Sequence, residues 1–478
     1  MLFNSALFKI YKTPLLIACS SLLLFAWFGY GLERTDYTKL IFIYSTLFFL
    51  FYKLMQTYRH NIQFLTVIAF LFKAVFIMGI PNLSQDFYRF IWDGRMILEG
   101  FNPYLYTVES FIAKGEFPVA QSQELYTGMG MLNASHFTNY PPLNQLCFVI
   151  AGLFTGKSIL GSAIVMRLLI IAADFGTLYF GKKLLERLNM PVYHIFWYVL
   201  NPFIIIELTG NLHFEGIMIF FLVWCLYLLQ IGKWPFAAVV LACSVSIKLI
   251  PLIFLPLFFQ WFVKRKGMAN GTKPFFPNNE IALSLRPHND VKKGMTKLIA
   301  FYGIIGMTTL LFFAPFYTSE FIANYTKTVG LWFHKFEFNA SLYYIARSIG
   351  YFLKGWNQIA IIGKITPVVM ILFILILSFF RRNKTTVQFI TAMLLVLSFY
   401  YFTATTVHPW YVATLLILSV FTKYKFPLVW SFAIILSYLA YSNTDNQENL
   451  WIIGLEYVVV YGVFICDVFI EKASQKEA

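Results

Sequence analysis

Apolar stretches close to twenty residues long recur through the whole of this sequence, at about 13–32, 38–56, 62–81, 160–181, 190–210, 213–231, 298–317, 358–380, 386–404, 409–422, 426–442 and 450–470. An α-helix of ~20 apolar residues matches the ~30 Å hydrocarbon core of a bilayer, so each run is a candidate span. The expected fold is therefore an all-α integral-membrane bundle of about 12–14 transmembrane helices. Composition agrees: 59% of residues are hydrophobic, 12% are charged and the mean hydropathy is +0.68, far from the mix of soluble domains. Two regions stay open at this level. Leu143 to Thr155 is short for a span, and Trp234 to Phe262, interrupted by Lys248 and Pro251, reads as one long kinked helix or a tight hairpin.

The net charge of +15 does not point to nucleic acid, because the Lys and Arg residues cluster beside apolar runs and form no basic stripe. The positive-inside rule places Lys53 and Arg59, the Lys182, Lys183 and Arg187 group, the Lys264 to Lys297 loop, Arg381 to Lys384, and Lys423 with Lys425 on the cytoplasmic side. Ser84 to Tyr140, Tyr317 to Gln358, His408 and the Asp445 to Glu448 turn then face outward. Parity works from Lys264 onward. Upstream it needs either a hairpin at 234–262 with a dip at 143–155, or one basic cluster that breaks the rule.

The first apolar run follows Lys9 and Lys12 but lacks a small-x-small cleavage site, and reads as a retained anchor. The five cysteines are scattered, with no metal-like spacing, and are expected to be free thiols. No internal repeat stands out. The chain reads as a single integral-membrane domain over 1–478, with an external loop at 82–141, a basic cytoplasmic loop at 264–297 and a flexible connector at Met268 to Asn289.

The external loop carries the most informative polar stretch, SQDFYRFIWDGRMILEGFNPY. From Asp86 onward Phe87, Phe90, Ile91, Gly94, Ile97 or Leu98 and Phe101 recur at helical spacing, while Arg89 and Asp93 share the opposite face. This pattern predicts an amphipathic helix lying flat at the bilayer surface, with its carboxylates where a lipid head group would sit. A plainer account makes Asp86 an N-cap and Arg89/Asp93 an ordinary i,i+4 ion pair.

Downstream, NYPPLNQ at 139–145 brings the chain back to the membrane in an extended entry, with Tyr140 at its rim. A second polar knot, NPFIIIELTGNLHFEGIM, sets Glu207, Asn211, His213 and Glu215 between two apolar runs, where they either face a cavity or form a solvated turn. Lys248 stands among apolar neighbours and must snorkel, pair or bind an anion. His408 precedes Pro409, Trp410 and Tyr411 at a helix start, with interfacial anchoring the plainer reading. His334, Lys335 and Glu337 lie among aromatics in the 318–357 loop and are less specific.

Taken in order, DFYRFIWDGRMILEGFNPY at 86–104, NYPPL at 139–143, LNPFIIIELTGNLHFEG at 200–216, SIKLIPL at 246–252 and HPWY at 408–411 resemble the GT-C superfamily of integral-membrane glycosyltransferases. The likeness is greatest to bacterial mannosyltransferase-like members that use polyprenyl-phosphate sugars, and covers most of the chain from about residue 60. Such proteins often carry Asp where this chain has Glu215, a substitution that keeps the charge. The resemblance implies that Asp86, in the first external loop, is the catalytic acid residue.

Chemistry agrees with that assignment. A carboxylate can take the proton of an attacking hydroxyl, and a phosphate leaving group departs readily when cations offset its charge. Arg89, Arg95, Lys248 and His408 are the phosphate-binding candidates, Glu215 a second acid, and Asp93, Tyr140, His213 and Tyr411 further substrate contacts. The expected reaction is metal-independent, cofactor-free inverting transfer of a hexose, expected to be mannose, to a glycan, lipid or protein acceptor on the non-cytoplasmic face of the inner or plasma membrane. A transporter or flippase for a lipid-linked glycan is the alternative, permitted by the intramembrane Lys73, Arg167 and Asp174.

Overall fold

The computed structural model describes residues 5–264, 288–334, 336–443 and 445–476. The described residues are mostly helical and include no β-strand; Phe338 and Thr406 form an isolated β-bridge. The first half runs through α1 (Ser5–Gly31), α2 (Tyr37–Tyr58), α3 (Ile62–Ala74), α4 (Asp86–Leu98), α5 (Val108–Ile112), α6 (Ser122–Ala134), α7 (Pro142–Thr155) and α8 (Ile159–Arg187). Most of the basic 264–297 loop, with its flexible connector, lies outside the described residues, as do Lys335 and the side chain of His334.

Each apolar run of the sequence contains helix, although in the 62–81 run it stops at Ala74, and the helices fall into two kinds. Seven among the described residues are long and apolar enough to cross a membrane, or eight if the pair Val192–Val199 and Pro202–Gly210, bent by 48°, is one span. The others, such as Pro142–Thr155, Glu215–Gln230, Trp234–Ile247 and Pro409–Val420, are shorter pieces. The breaks have local causes. Pro202 opens a new helical segment after Asn201, whose side chain accepts from the Phe203 amide. At Lys248 the backbone turns extended (φ −153°, ψ 139°), and Pro251 and Pro256 hold Ile250–Leu257 in 3₁₀ form. The 234–262 region is thus a broken element, hinged at its one cation.

Two unusual backbone features lie beside these breaks. Ile205–Gly210 is a π-helical turn, a form frequent at functional sites. Leu212 has φ +62°, which is rare for a bulky residue and costs of order 1–3 kcal/mol.

The intramembrane charges that left room for a transporter are consumed internally. Lys73 Nζ donates to Asp174 Oδ2 at 2.8 Å with both side chains fully buried. Arg167 donates to the carbonyls of Thr209, Gly210 and Ile77 at 2.9, 3.0 and 2.9 Å, capping the end of the π turn. The buried Lys73–Asp174 pair joins α3 to α8, and Arg167 joins α8 to the π turn, so each charge is held within the protein.

The position of α4 corrects the sequence expectation. Its apolar and polar faces are where periodicity places them, yet the helix is enclosed on both, with Arg89, Asp93 and Arg95 as buried as Phe87 and Phe90. The apolar side packs on α7, where Phe90 stacks on Phe148 (ring centroids 4.7 Å) and meets Phe214 edge-on. Gly94 permits this approach, since a Cβ there would lie 2.4 Å from the Phe148 carbonyl oxygen. The polar side is roofed by α6 and the chain after it: Arg89 donates to the carbonyls of Asn133 and His136 at 2.7 and 2.9 Å. Periodicity identifies which residues share a face and says nothing of what covers it.

Candidate active site

Asp86 opens α4, one residue after the Gln85 N-cap position, so the N-cap account does not hold. Its carboxylate accepts from Asn133 Nδ2 at 3.2 Å and lines a cavity of about 960 Å³. A cavity of this size suits a drug-sized or larger ligand. The first external loop, the broken 248–253 segment, the 336–347 region, the His408–Tyr411 turn and the Tyr438–Glu448 stretch all contribute to its wall. Burial pushes the Asp86 carboxyl above its ordinary value; the Asn133 bond and the charges of Lys248 and Arg34 act against that, and Glu215 adds to it.

The sequence candidates divide into three groups. Asp86, Tyr140, Lys248, His408 and Tyr411 line the cavity together, although 325 residues separate the first from the last. Glu215 and His213 stand behind the wall, buried. Glu215 forms an ion pair with Lys248, whose Nζ also lies 5.0 Å from the Tyr411 ring centroid. His213 stacks on Trp410 with ring centroids 3.7 Å apart, and Trp410 stacks in turn on His408 (4.6 Å) and His408 on Phe338 (5.3 Å), giving a four-ring ladder along one side. His213 Nε2 is 3.8 Å from Glu207 Oε2, but burial, with Lys248 and His408, holds this imidazole well below its ordinary range, so the contact is not an ion pair. Burial and Lys248 likewise push His408 down to about 3, leaving it neutral at physiological pH.

Arg89, Asp93 and Arg95 form the third group and lie outside the cavity lining. Arg89 Nε donates to Asp93 Oδ1 at 2.7 Å, the i,i+4 pair of the plainer account, and Gln145 Nε2 donates to Asp93 Oδ2 at 3.1 Å. Arg95 donates to the Ala120 carbonyl at 2.7 Å and to Gln121 Oε1 at 3.2 Å. Arg89 and Arg95 fasten the external loop to itself, and Asp93 ties it to α7 through Gln145.

Several lining residues carry no local sequence signal. Arg34, in the turn after α1, lies over the Tyr441 ring at 4.1 Å. Arg347 lies over the Tyr344 ring at 4.3 Å and pairs with Glu337, which also accepts from Tyr343 and Asn357. Glu448 accepts from Tyr344 and from the Asn339 amide, and burial raises its carboxyl above the ordinary value. Glu337 and the Asp445–Glu448 turn are visible in the sequence as outward-facing acids; only the fold brings them to Asp86. Among the described residues no group of three or more His, Cys, Asp or Glu side chains is placed to hold a metal ion.

Fold and cavity define an all-α, multi-pass membrane protein whose scattered polar segments converge on one hollow. The chain belongs to the family described as "Alpha-(1->6)-mannopyranosyltransferase, N-terminal domain", whose model matches residues 7–264 and so takes in Asp86, Glu215 and Lys248. It is also similar to alpha-(1->6)-mannopyranosyltransferase A of Mycobacterium tuberculosis (strain ATCC 25618 / H37Rv), with 20% identity over 202 residues. That match covers 42% of this chain and 37% of the relative's length.

Proposed function

We propose that this protein is a mannosyltransferase that takes mannose from a polyprenyl-phosphate donor and passes it to a hydroxyl of a glycan, lipid or protein acceptor on the non-cytoplasmic face of the inner or plasma membrane. The observation that carries this reading is the convergence of Asp86 with the cations Lys248 and Arg34 on a single cavity walled by Tyr140, Trp410 and Tyr411, in a chain of a mannopyranosyltransferase family. Aromatic side chains suit the apolar faces of a sugar, a role left to Tyr140 and Tyr411 because the faces of Trp410 are taken by His213 and His408, and cations suit a phosphate.

In the proposed reaction the acceptor oxygen attacks the anomeric carbon as its proton passes to Asp86. The bond from that carbon to the donor phosphate oxygen breaks, and its electron pair leaves with polyprenyl phosphate. Negative charge thereby moves from the Asp86 carboxylate to the departing phosphate, and Lys248 and Arg34 act electrostatically on both ends of that transfer. Glu215 holds Lys248 in place from behind. Arg89, Asp93 and Arg95 hold the loop that presents Asp86. One displacement inverts configuration, so an α-mannoside product requires a β-linked donor. The step needs no divalent metal.

The test uses purified protein in detergent with β-linked mannosyl-phosphoryl-polyprenol and a mannoside acceptor, beside a liposome flux assay of the same donor. Transfer that persists in chelator, with flux no faster than in protein-free liposomes, supports the reading. Flux without transfer assigns the chain to the transporter class, and transfer only with added divalent metal removes the metal-free scheme.

A further inference from the structure

The proposed reaction leaves open which cation receives the donor's phosphate, and the geometry of the cavity narrows the choice. Of the four phosphate candidates read from sequence, Arg89 and Arg95 lie outside the lining and His408 is held neutral. Lys248 reaches the cavity already paired with Glu215. Arg347, a further lining cation, is paired with Glu337. Arg34 also lines the cavity, and no carboxylate lies within ion-pair distance of it among the described residues.

Its placement is built. Asn82 Nδ2 ties the end of α1 to the chain before α4 by donating to the carbonyls of Phe28 and Leu32 at 2.7 and 3.1 Å. Arg34 Nη1 reaches the Leu83 carbonyl at 3.4 Å, three residues before Asp86, and the Leu83 amide is fixed in turn by Asn211 Oδ1 at 3.0 Å. The Tyr441 ring supports the guanidinium plane at 4.1 Å. Stacking occupies a guanidinium face, while its N–H donors lie in the plane and remain directed along the edge. Arg34 is also close enough to Asp86 to favour the ionised carboxylate.

We infer that Arg34 is the residue that binds the phosphate of the lipid donor, with its guanidinium edge paired to the phosphate oxygens. This rests on the donor class proposed above. A guanidinium fork matches two phosphate oxygens, which an ammonium cannot do. Residing beside the base, it stabilises the charge on Asp86 before transfer and on the phosphate afterwards, as that charge passes from one to the other.

The experiment measures binding of farnesyl phosphate, and of farnesol as the phosphate-free control, to the purified full chain and to its Arg34→Gln and Arg34→Lys variants by isothermal calorimetry. It is accompanied by KM and kcat for the mannosyl-phosphoryl-polyprenol donor. Loss of a charge-assisted pair is expected to weaken farnesyl phosphate binding by about tenfold or more in Arg34→Gln, with partial recovery in Arg34→Lys and no change for farnesol. Donor KM should rise in parallel. Native protein that binds farnesyl phosphate with an affinity unchanged in Arg34→Gln overturns the inference and leaves the donor class standing. Native protein that binds farnesyl phosphate no better than farnesol overturns both. If Arg34→Gln fails to fold, native-like farnesyl phosphate affinity in Arg34→Lys, where the two-oxygen fork is gone, overturns it.

Discussion

Asp86→Asn removes the proposed base while leaving the shape of the side chain unchanged. Asn133 Nδ2, 3.2 Å from the carboxylate, can donate to the amide oxygen just as well. Loss of a positioned general base costs about 10²–10⁴-fold in rate, so kcat should fall by that factor with donor KM little changed.

Stability should respond in the opposite sense. Because burial raises the Asp86 carboxyl above its ordinary value, the folded state favours the neutral form. Its contribution to stability is then present below the unfolded carboxylate range, about pH 4, and is lost as pH rises through the folded value. At neutral pH ionised Asp86 is a net cost, and the variant should melt at or slightly above the native temperature. In the native protein the acidic limb of the kcat/KM profile should sit above the usual carboxylate range, and in Asp86→Asn that limb should vanish. The assay is radiolabelled mannose transfer by detergent-purified protein across pH 4 to 9, alongside a fluorescence melt. Turnover within about threefold of native, or an acidic limb that survives the substitution, would refute the role of Asp86.

Other perturbations read different parts of the structure. Gly94→Ala places a Cβ 2.4 Å from a backbone oxygen of α7, so despite its better helix propensity it should destabilise by about 1–3 kcal/mol or more, measured as a lowered melting temperature. Lys73→Met leaves Asp174 buried without its partner and should cost about 3–5 kcal/mol; Lys73→Met with Asp174→Leu should recover much of that loss in the same melt. His408→Phe preserves the ring ladder with Trp410 and Phe338. Since His408 is neutral at working pH, the kcat/KM profile between pH 5 and 8 should keep its shape, and a lost limb near pH 6 to 7 would contradict that state.

Much of the fold is legible in the sequence because a bilayer imposes a length on every crossing, and apolar runs such as 160–181 and 450–470 became the helices Ile159–Arg187 and Leu450–Lys476. Legibility fails where a polar residue or proline breaks the run. At Lys248, Asn201 and His408 the break belongs to the cavity or its frame, and run length alone does not tell a crossing from a hinge. For the site, Asp86, Lys248 and His408 stand out because a charge or imidazole beside an apolar span is costly. Arg34 has no such mark: its partners are Leu83 and Tyr441, 49 and 407 positions away, and only the packed chain reveals them. Arg89 and Arg95 misled for the converse reason, since the carbonyls that claim them belong to the loop that folds over α4.

A cavity around Asp86 proposed to hold a sugar carried on a lipid phosphate should choose its donor accordingly. That choice is measured on the purified protein with β-linked mannosyl-phosphoryl-polyprenol and GDP-mannose offered at equal concentration to the same acceptor. Mannose delivered from the lipid phosphate alone, with the configuration of its anomeric carbon inverted in the product, is the predicted outcome. Transfer from GDP-mannose with the lipid donor left intact would contradict it.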